Sequence, residues 1–218
     1  MADRIIAIGD IHGCNKALDA LLERIEPTDS DTIVFLGDYI DRGPDSASVL
    51  ERILKLDQEC TVVPLIGNHE VMMLTALEQP SEIHFWLQCG GQSTVDSYGG
   101  DLSEIPFSHI EFMRSCRLFY ETDDFFFVHA NYIADAPLDR QPHHTLLWEH
   151  LTNNVPPRHL SGKIAIVGHT PQLNGEILNL DHILCIDTHC YGKGWLTALD
   201  VVSGQYWQAD SHGSLRIE

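Results

Sequence analysis

The sequence predicts an α/β fold, and three features of its first 70 residues lead to that expectation. Short apolar runs at residues 4–8, 31–36 and 61–66 have the length and β-branched content of buried strands. The two segments between them, residues 17–25 and 49–56, repeat apolar side chains at the spacing of amphipathic helices. This strand–helix–strand–helix–strand order predicts a parallel sheet, because parallel neighbours need a crossover connection.

The remaining chain is predicted to add helices and then further strands to the same domain. Residues 70–117 have the pattern of helical segments interrupted at two Gly-Gly pairs, whereas residues 136–160 are rich in Pro and His and predict mostly loop. A length of 218 residues, without a linker or an internal repeat, predicts a single domain over residues 1–218. Later strands are predicted at residues 125–128, 164–167, 183–186, 195–202 and 205–208.

The charge balance argues against several classes of partner. Thirteen Lys and Arg residues against 32 Asp and Glu residues give a formal charge of −19. Nucleic acids and anionic membrane surfaces are bound mainly through basic side chains, so neither is expected as a partner. The first residues do not resemble a signal peptide, so a cytoplasmic location is expected. The six cysteines include no CxxC pair and are expected to be free thiols.

A polar cluster follows each strand of the first unit. The clusters are GDIHG at residues 9–13, GDYIDRG at residues 37–43 and GNHE at residues 67–70, and 23 residues separate each from the next. The carboxyl ends of parallel strands lie at one edge of a sheet, where ligands bind. His129 and His169 each come directly after a later apolar run. We therefore expect all five segments to converge at one edge.

The donor types in these segments are those of a metal site. Carboxylate, amide and imidazole ligands together suit divalent Mn, Fe or Zn better than Ca or Mg alone. A single Gly-Asp is ordinarily a turn, and a lone His ordinarily packs in the core or faces solvent. Turn formation does not explain five such clusters that all follow predicted strands. The pattern therefore predicts a mixed nitrogen and oxygen metal site.

The ordered motifs resemble those of the phosphoprotein phosphatase family of calcineurin-like metallophosphoesterases. GDxHG, GDxxDRG, GNHE, VHA and GHT occur in this order from Gly9 to Thr170, and IDT follows at residues 186–188. The short form is most similar to the bacterial and bacteriophage lambda serine/threonine protein phosphatase branch. The resemblance implies a metallophosphoesterase fold, with a central β-sandwich of mixed sheets flanked by helices. It also implies a dinuclear metal site at the carboxyl ends of the strands.

The resemblance further implies a role for each motif residue. Two divalent metal ions are expected, with Mn²⁺ favoured and Fe or Zn as alternatives, and a hydroxide bridging them would attack phosphorus directly. Asp10 and His12 would bind the first ion, Asp38 would bridge both, and Asn68, His129 and His169 would bind the second.

Three further motif residues are implied in catalysis. His69 would be the general acid that protonates the leaving alkoxide, and Asp41 would orient the His69 ring. The planar guanidinium of Arg42 would bind phosphate oxygens. An imidazolium held by a carboxylate can supply a proton near neutral pH, and a serine alkoxide needs one. This chemistry is consistent with the implied pairing of Asp41 with His69.

One segment departs from the family pattern. Family members usually carry a second phosphate-binding Arg, and His150 stands where that residue is expected. Protonated His150 could replace it, as could Arg140 or Arg158 nearby. Tyr191 lies in a segment similar to the loop that overhangs the site in the family, so His150 and Tyr191 are included as candidate substrate-binding residues.

Three functions compete at this point. The first is a phosphomonoesterase for phosphoserine and phosphothreonine in proteins, with phosphotyrosine and small phosphoesters as further substrates. The second is a symmetrical dinucleoside tetraphosphate hydrolase, a group that shares GDIHG and GNHE but typically has Ala where this chain has Asp41. The third is a non-catalytic metal-binding module, which would have lost a ligand or His69. The intact motifs, Asp41 included, favour the first function. The sequence does not indicate an oligomeric state.

Overall fold

Ten strands form the two sheets at the centre of the structure, a computed structural model that describes residues 4–217. Residues 1–3 and 218 of the expected single domain lie outside the described residues. The strands are β1 (Ile5–Ile8), β2 (Thr32–Phe35), β3 (Thr61–Pro64), β4 (Phe119–Glu121), β5 (Phe125–Val128), β6 (Ile164–Val167), β7 (Leu178–Asn179), β8 (Ile183–Cys185), β9 (Leu196–Asp200) and β10 (Tyr206–Ala209).

Each sheet has five strands and mixed topology. The first has the order β10-β9-β1-β2-β3, and the second has the order β4-β5-β6-β8-β7. In the first sheet β1, β2 and β3 are parallel, with Ile33 opposite both Ile6 and Val62, whereas β9 runs antiparallel to β1 and to β10. In the second sheet β5, β6 and β8 are parallel and the two edge strands are antiparallel. The parallel trio of the second sheet is therefore interior, whereas that of the first sheet reaches the edge at β3.

Helices connect and flank these strands. The helix between β1 and β2 and the one between β2 and β3 confirm the predicted crossovers, and each buries one apolar face. A π-helical turn at Leu87–Gly91 separates two short helices in the middle of the chain. The helices are α1 (Asn15–Ile25), α2 (Ser46–Leu56), α3 (Asn68–Glu78), α4 (Ile83–Trp86), α5 (Gln92–Ser97), α6 (Phe107–Ser115) and α7 (His143–Trp148).

The two sheets pack against each other through an apolar layer. Ala7, Val34 and Leu199 of the first sheet join Phe127 and Ile166 of the second in one buried cluster. The opposite faces pack under α1 and α2 on one side and under α7 on the other. This is the metallophosphoesterase sandwich of mixed sheets flanked by helices, so the predicted fold class is confirmed. All six cysteines are free thiols, as expected.

Three short elements were not predicted. β4 and β7 have three and two residues, which is too short to produce a recognisable strand pattern. Helix α7 lies inside the region predicted to be mostly loop, and its six residues span under two turns. Tertiary packing stabilises it, because Leu146 and Leu147 are buried in the second core cluster. Among residues 4–217, every helix is too short or too polar to cross a bilayer.

Candidate metal centre

The five predicted segments meet at the carboxyl ends of the central parallel strands. Each polar side chain directly follows a strand or begins the next helix, so the strand ends determine where the side chains can lie. All six predicted metal ligands are buried, with relative exposures of 3% for Asp10, 1% for His12, 2% for Asp38, 5% for Asn68, 0% for His129 and 9% for His169.

The backbone at this edge is strained. Of the eight non-glycine residues with positive φ among residues 4–217, five are predicted site residues. Such a conformation costs roughly 1–2 kcal/mol for a residue that has a Cβ atom. Strain of this kind persists where surrounding structure enforces it, typically at functional sites. The five residues are His12, Asp38, Asp41, Arg42 and His169, with φ of 46°, 51°, 72°, 67° and 61°.

Two glycines allow the segments to approach closely. A Cβ atom at Gly67 would collide with the Asp38 carboxylate, and a Cβ atom at Gly168 would collide with the Asp10 carboxylate. Only glycine lets the backbone pass these carboxylates without displacing them. The glycines of GNHE and GHT therefore serve the packing of the site.

Backbone carbonyls orient two of the imidazole rings. His12 Nδ1 lies 2.9 Å from the Ile40 carbonyl oxygen, and His129 Nδ1 lies 2.7 Å from that of Leu36. A carbonyl only accepts, so each Nδ1 carries the proton and each Nε2 of a neutral ring carries a lone pair. Such hydrogen bonds orient metal-ligating histidines in other proteins.

Both lone pairs point towards Asp38. His12 Nε2 is 3.4 Å from Asp38 Oδ2, and His129 Nε2 is 3.5 Å from Asp38 Oδ1. Burial lowers the pKa of both rings, and it lowers the pKa of His169 to about 3. The three rings are therefore neutral at neutral pH, which is the form that binds metals.

The donor set fits two divalent cations. Ligand atoms of His12, Asp38 and His69 lie within 4.8 Å of one another, as do those of Asp38, His129 and His169. His169 Nε2 is buried and has no hydrogen-bond partner among the described residues. His129 Nε2 faces Asn68 Oδ1 at 3.0 Å, so two lone pairs point at each other. A cation between such atoms satisfies them, and mixed imidazole, carboxylate and amide donors suit Mn, Fe or Zn.

Asp10 lies beside the first group of donors rather than within it. Its carboxylate accepts the His169 N–H at 3.2 Å and 3.0 Å. Burial and the nearby carboxylate of Asp187 raise the pKa of Asp10. Asp187 is itself buried, and burial raises its pKa to about 7. Two adjacent buried carboxyl groups favour a cation at this end of the site.

His69 and Asp41 form a buried pair, as the resemblance implied. His69 Nδ1 lies 2.7 Å from Asp41 Oδ2. Trp86 Nε1 donates to the same carboxylate oxygen at 2.9 Å, and Thr94 Oγ1 donates to Asp41 Oδ1 at 2.6 Å. Burial favours the neutral His69 ring, but Asp38 and the Asp41 hydrogen bond outweigh it and raise the pKa of His69. A larger fraction of His69 is therefore protonated near neutral pH than of an ordinary histidine.

Glu70 supports the bridging position although the sequence analysis gave it no role. Its carboxylate accepts the N–H groups of Gly67 and Asp38 at 2.9 Å each, of Tyr39 at 2.8 Å and of Ile40 at 3.3 Å. These bonds tie the strained loop after β2 to the start of α3. The glutamate of GNHE thus positions both loops through backbone hydrogen bonds.

The predicted substrate-binding residues lie at the rim. The Arg42 guanidinium stacks over the Tyr191 ring at 4.7 Å, and Arg42 Nη1 lies 3.0 Å from His12 Nε2. The Tyr191 ring also contacts His12 edge-on, with ring centres 4.8 Å apart. The His150 ring is 4.3 Å from that of His169. Their roles in binding substrate remain predictions.

The two arginines suggested as alternatives to His150 are exposed, whereas His189 lies close to the site. Arg158 donates to the Gly162 carbonyl at 3.1 Å and is exposed, and Arg140 is exposed. His189, by contrast, packs edge-on against Tyr191, with ring centres 4.7 Å apart. His189 therefore lies next to the rim of the site.

The comparison with known proteins agrees with this geometry. Residues 3–201 match the calcineurin-like phosphoesterase family. The chain belongs to this family. Members of the family are hydrolases, so the buried histidines and carboxylates form the candidate active site of a calcineurin-like phosphoesterase.

Individual relatives match this chain either over a short region or at low sequence identity. The chain is 44% identical over 73 residues to a symmetrical bis(5'-nucleosyl)-tetraphosphatase from Acidovorax sp. strain JS42. The matched region covers 33% of this chain and 25% of that protein. The crystal structure of a proposed diadenosine tetraphosphatase has a TM-score of 0.73 and 21% identity, covering 96% of this chain and 94% of that one. A cold-active protein-tyrosine phosphatase from a psychrophilic Shewanella species has a TM-score of 0.63 and 19% identity, covering 99% and 80%. Both structures share the fold.

Replacing Glu70 tests whether its carboxylate holds the bridging loop. Glu70→Gln places an amide NH₂ against backbone donors, so we expect the free energy of unfolding to fall by about 3 kcal/mol. We also expect manganese affinity to fall about 10-fold or more, as for other groups that orient metal ligands. Chemical denaturation and metal titration measure the two effects.

The matched control is Glu78→Gln on the exposed end of the same helix, where the carboxylate pairs with Arg114 at 3.2 Å. This control should leave both quantities nearly unchanged. Equal metal affinity in Glu70→Gln and in the unaltered protein would show that Glu70 does not position the site.

Proposed function

We propose that this calcineurin-like phosphoesterase is a metal-dependent hydrolase whose preferred substrates are dinucleoside tetraphosphates. The observation that carries the metal-dependent chemistry is the convergence of neutral, carbonyl-oriented imidazoles on Asp38. The tetraphosphate substrate is supported by relatives that are named symmetrical bis(5'-nucleosyl)-tetraphosphatases. The matched region spans 25% of the length of the first of these relatives.

The geometry supports an assignment of the metal-binding residues. We propose that Asp10, His12 and Asp38 hold one ion and that Asp38, Asn68, His129 and His169 hold the other. Manganese is proposed for both positions. Divalent ions in such a site supply Lewis-acid stabilisation of phosphate oxygens and activate water as a nucleophile.

The side chains of this chain then carry three tasks. Arg42 binds phosphate oxygens with its planar guanidinium, which the Tyr191 ring supports from one side. His69 donates a proton from Nε2 to the oxygen that leaves phosphorus. Asp41 holds the other ring nitrogen, and Trp86 and Thr94 keep the Asp41 carboxylate in place.

A comparison of substrates tests this proposal. Manganese-loaded protein is given diadenosine tetraphosphate, a phosphoserine peptide and a phosphotyrosine peptide under identical conditions. We expect the largest kcat/KM for the tetraphosphate and adenosine diphosphate as its sole nucleotide product, because symmetrical cleavage breaks the central anhydride. A larger kcat/KM for either peptide, or release of adenosine monophosphate with a triphosphate, would contradict the proposal.

Protein dephosphorylation is the second candidate, and one observation favours it. Asp41 replaces the Ala that tetraphosphatases typically carry, and it hydrogen-bonds to His69 at 2.7 Å. A serine alkoxide is a poor leaving group and gains most from a proton donor of this kind. On this hypothesis the chain acts on phosphoserine and phosphothreonine, as in the lambda phosphatase branch. His150 would take the place of the second phosphate-binding Arg.

Replacing the proposed acid tests how far the reaction depends on proton donation. His69→Asn should reduce kcat on an alkyl phosphate such as phosphoserine about 100-fold or more, because general acid catalysis contributes on that scale. The loss on p-nitrophenyl phosphate should be smaller, since nitrophenolate leaves without a proton. Equal losses on both esters would contradict a general-acid role for His69.

A matched variant separates this effect from a change in the metal site. His144 is exposed on α7, and His144→Asn makes the same substitution at a position without a predicted role. It should leave both rates unchanged. Metal content is measured for each variant, because a loss of bound manganese in His69→Asn would assign the residue to the metal site.

A further inference from the structure

A cavity lies next to the metal centre. It has a volume of about 480 Å³, within the range of small-molecule sites of roughly 300–1,000 Å³. Arg42 and Tyr191 form part of its wall, and the same two side chains contact His12 at the rim of the metal centre. The start of α1 and His212 of the C-terminal segment also line it. A ligand bound near the metals could therefore extend past Arg42 into this space.

The wall of this cavity is cationic in a strongly acidic protein. Lys16 and Arg42 both line it, and neither forms an ion pair with a carboxylate within residues 4–217. The chain carries a formal charge of −19 with 13 basic residues. Asp45 is the one carboxylate in the wall, and it caps α2 by accepting the Ser48 N–H at 3.1 Å. The cavity is thus suited to an anion that the rest of the surface would repel.

Asn15 offers a different contact in the same wall. Its Nδ2 donates to Asp19 at 3.0 Å, which identifies Oδ1 as the remaining acceptor. That oxygen is buried and has no partner among the described residues. A buried acceptor without a donor is costly, and rotation of the Asn15 amide towards the cavity would let a ligand hydroxyl or amino group satisfy it. Phosphate alone lacks such a donor when fully ionised, whereas a nucleoside has several.

We propose that this cavity binds the nucleoside diphosphate portion of the substrate that lies beyond the attacked phosphorus. Lys16 and Arg42 contact its phosphates, and Asn15 Oδ1, once the amide rotates towards the cavity, accepts a hydrogen bond from the sugar or base. The proposal rests on the proposed tetraphosphate hydrolysis. In that reaction one water is consumed and the central P–O bond breaks. The water oxygen stays on the attacked phosphorus, and the bridging oxygen leaves with the other nucleoside diphosphate.

Reversal of one charge in the wall tests the proposal. Lys16→Glu should lower the ratio of kcat/KM for diadenosine tetraphosphate to that for p-nitrophenyl phosphate about tenfold, mainly through KM, because an attraction becomes a repulsion. Ser211→Trp, which adds bulk elsewhere in the wall, should change the ratio in the same direction. Thermal unfolding of each variant verifies that the fold is intact.

Lys55→Glu is the matched control. Lys55 is exposed in the last turn of α2. Because α2 leads into the amino end of β3, its last turn lies at the opposite edge of the sheet from the metal centre. The control makes the same change in net charge, and its ratio should stay within about twofold of the unaltered protein. An equal fall in Lys16→Glu and Lys55→Glu would overturn the proposal, because net charge would then account for the effect.

Inhibition separates failure of the cavity from failure of the proposed function. Adenosine diphosphate is used as an inhibitor of p-nitrophenyl phosphate hydrolysis at constant free manganese, with inorganic phosphate as the reference because it lacks a nucleoside. Lys16→Glu should raise the inhibition constant of adenosine diphosphate about tenfold relative to that of phosphate. This result would support the cavity even if the tetraphosphate were not hydrolysed. Unchanged inhibition and an unchanged substrate ratio would overturn the proposed role of the cavity and would leave the proposed tetraphosphate hydrolysis standing.

Discussion

The carboxylate of Asp38 is the constraint on which the rest of the site depends. Its two oxygens face His12 and His129 from opposite sides, and the two triads of possible ligands share this one residue. A buried carboxylate among neutral imidazole lone pairs is unfavourable unless cations lie between them. The fold therefore holds ligand atoms whose lone pairs are satisfied only when metal is bound. The Asp38 carboxylate also accepts the backbone N–H of His69 at 3.1 Å.

The β-sandwich supplies the rigidity that this arrangement requires. Parallel strands from both sheets end at one edge, so ligands that are distant in sequence meet without a long loop. Glu70 joins the loop after β2 to α3 through backbone hydrogen bonds and holds Asp38 in its left-handed conformation. Since the strained residues are enclosed by these contacts, their geometry does not depend on a flexible segment. Arg42 and His69 are thus held at fixed positions beside these ligands.

The sequence predicted the parts of this site that repeat a pattern. Strand ends followed by Asp, Asn or His predicted which side chains would converge, and the fold class followed from the same strands. Trp86 and Thr94 escaped prediction because an apolar Trp in a helical segment resembles an ordinary core residue, although both hold Asp41. The role of Asp187 became visible only when the two sheets brought it next to Asp10. The cavity beside Arg42 likewise depends on the path of the C-terminal segment, which no local pattern specifies.

Electron paramagnetic resonance of manganese-loaded protein tests the role of Asp38 most directly. Two Mn²⁺ ions that share one carboxylate are magnetically coupled, so we expect two ions per chain and a coupled spectrum. Asp38→Asn should abolish the coupling and reduce the bound manganese, because a neutral amide replaces the shared charge. One ion per chain in the unaltered protein, or two ions with an uncoupled spectrum, would contradict the account of a site built around Asp38.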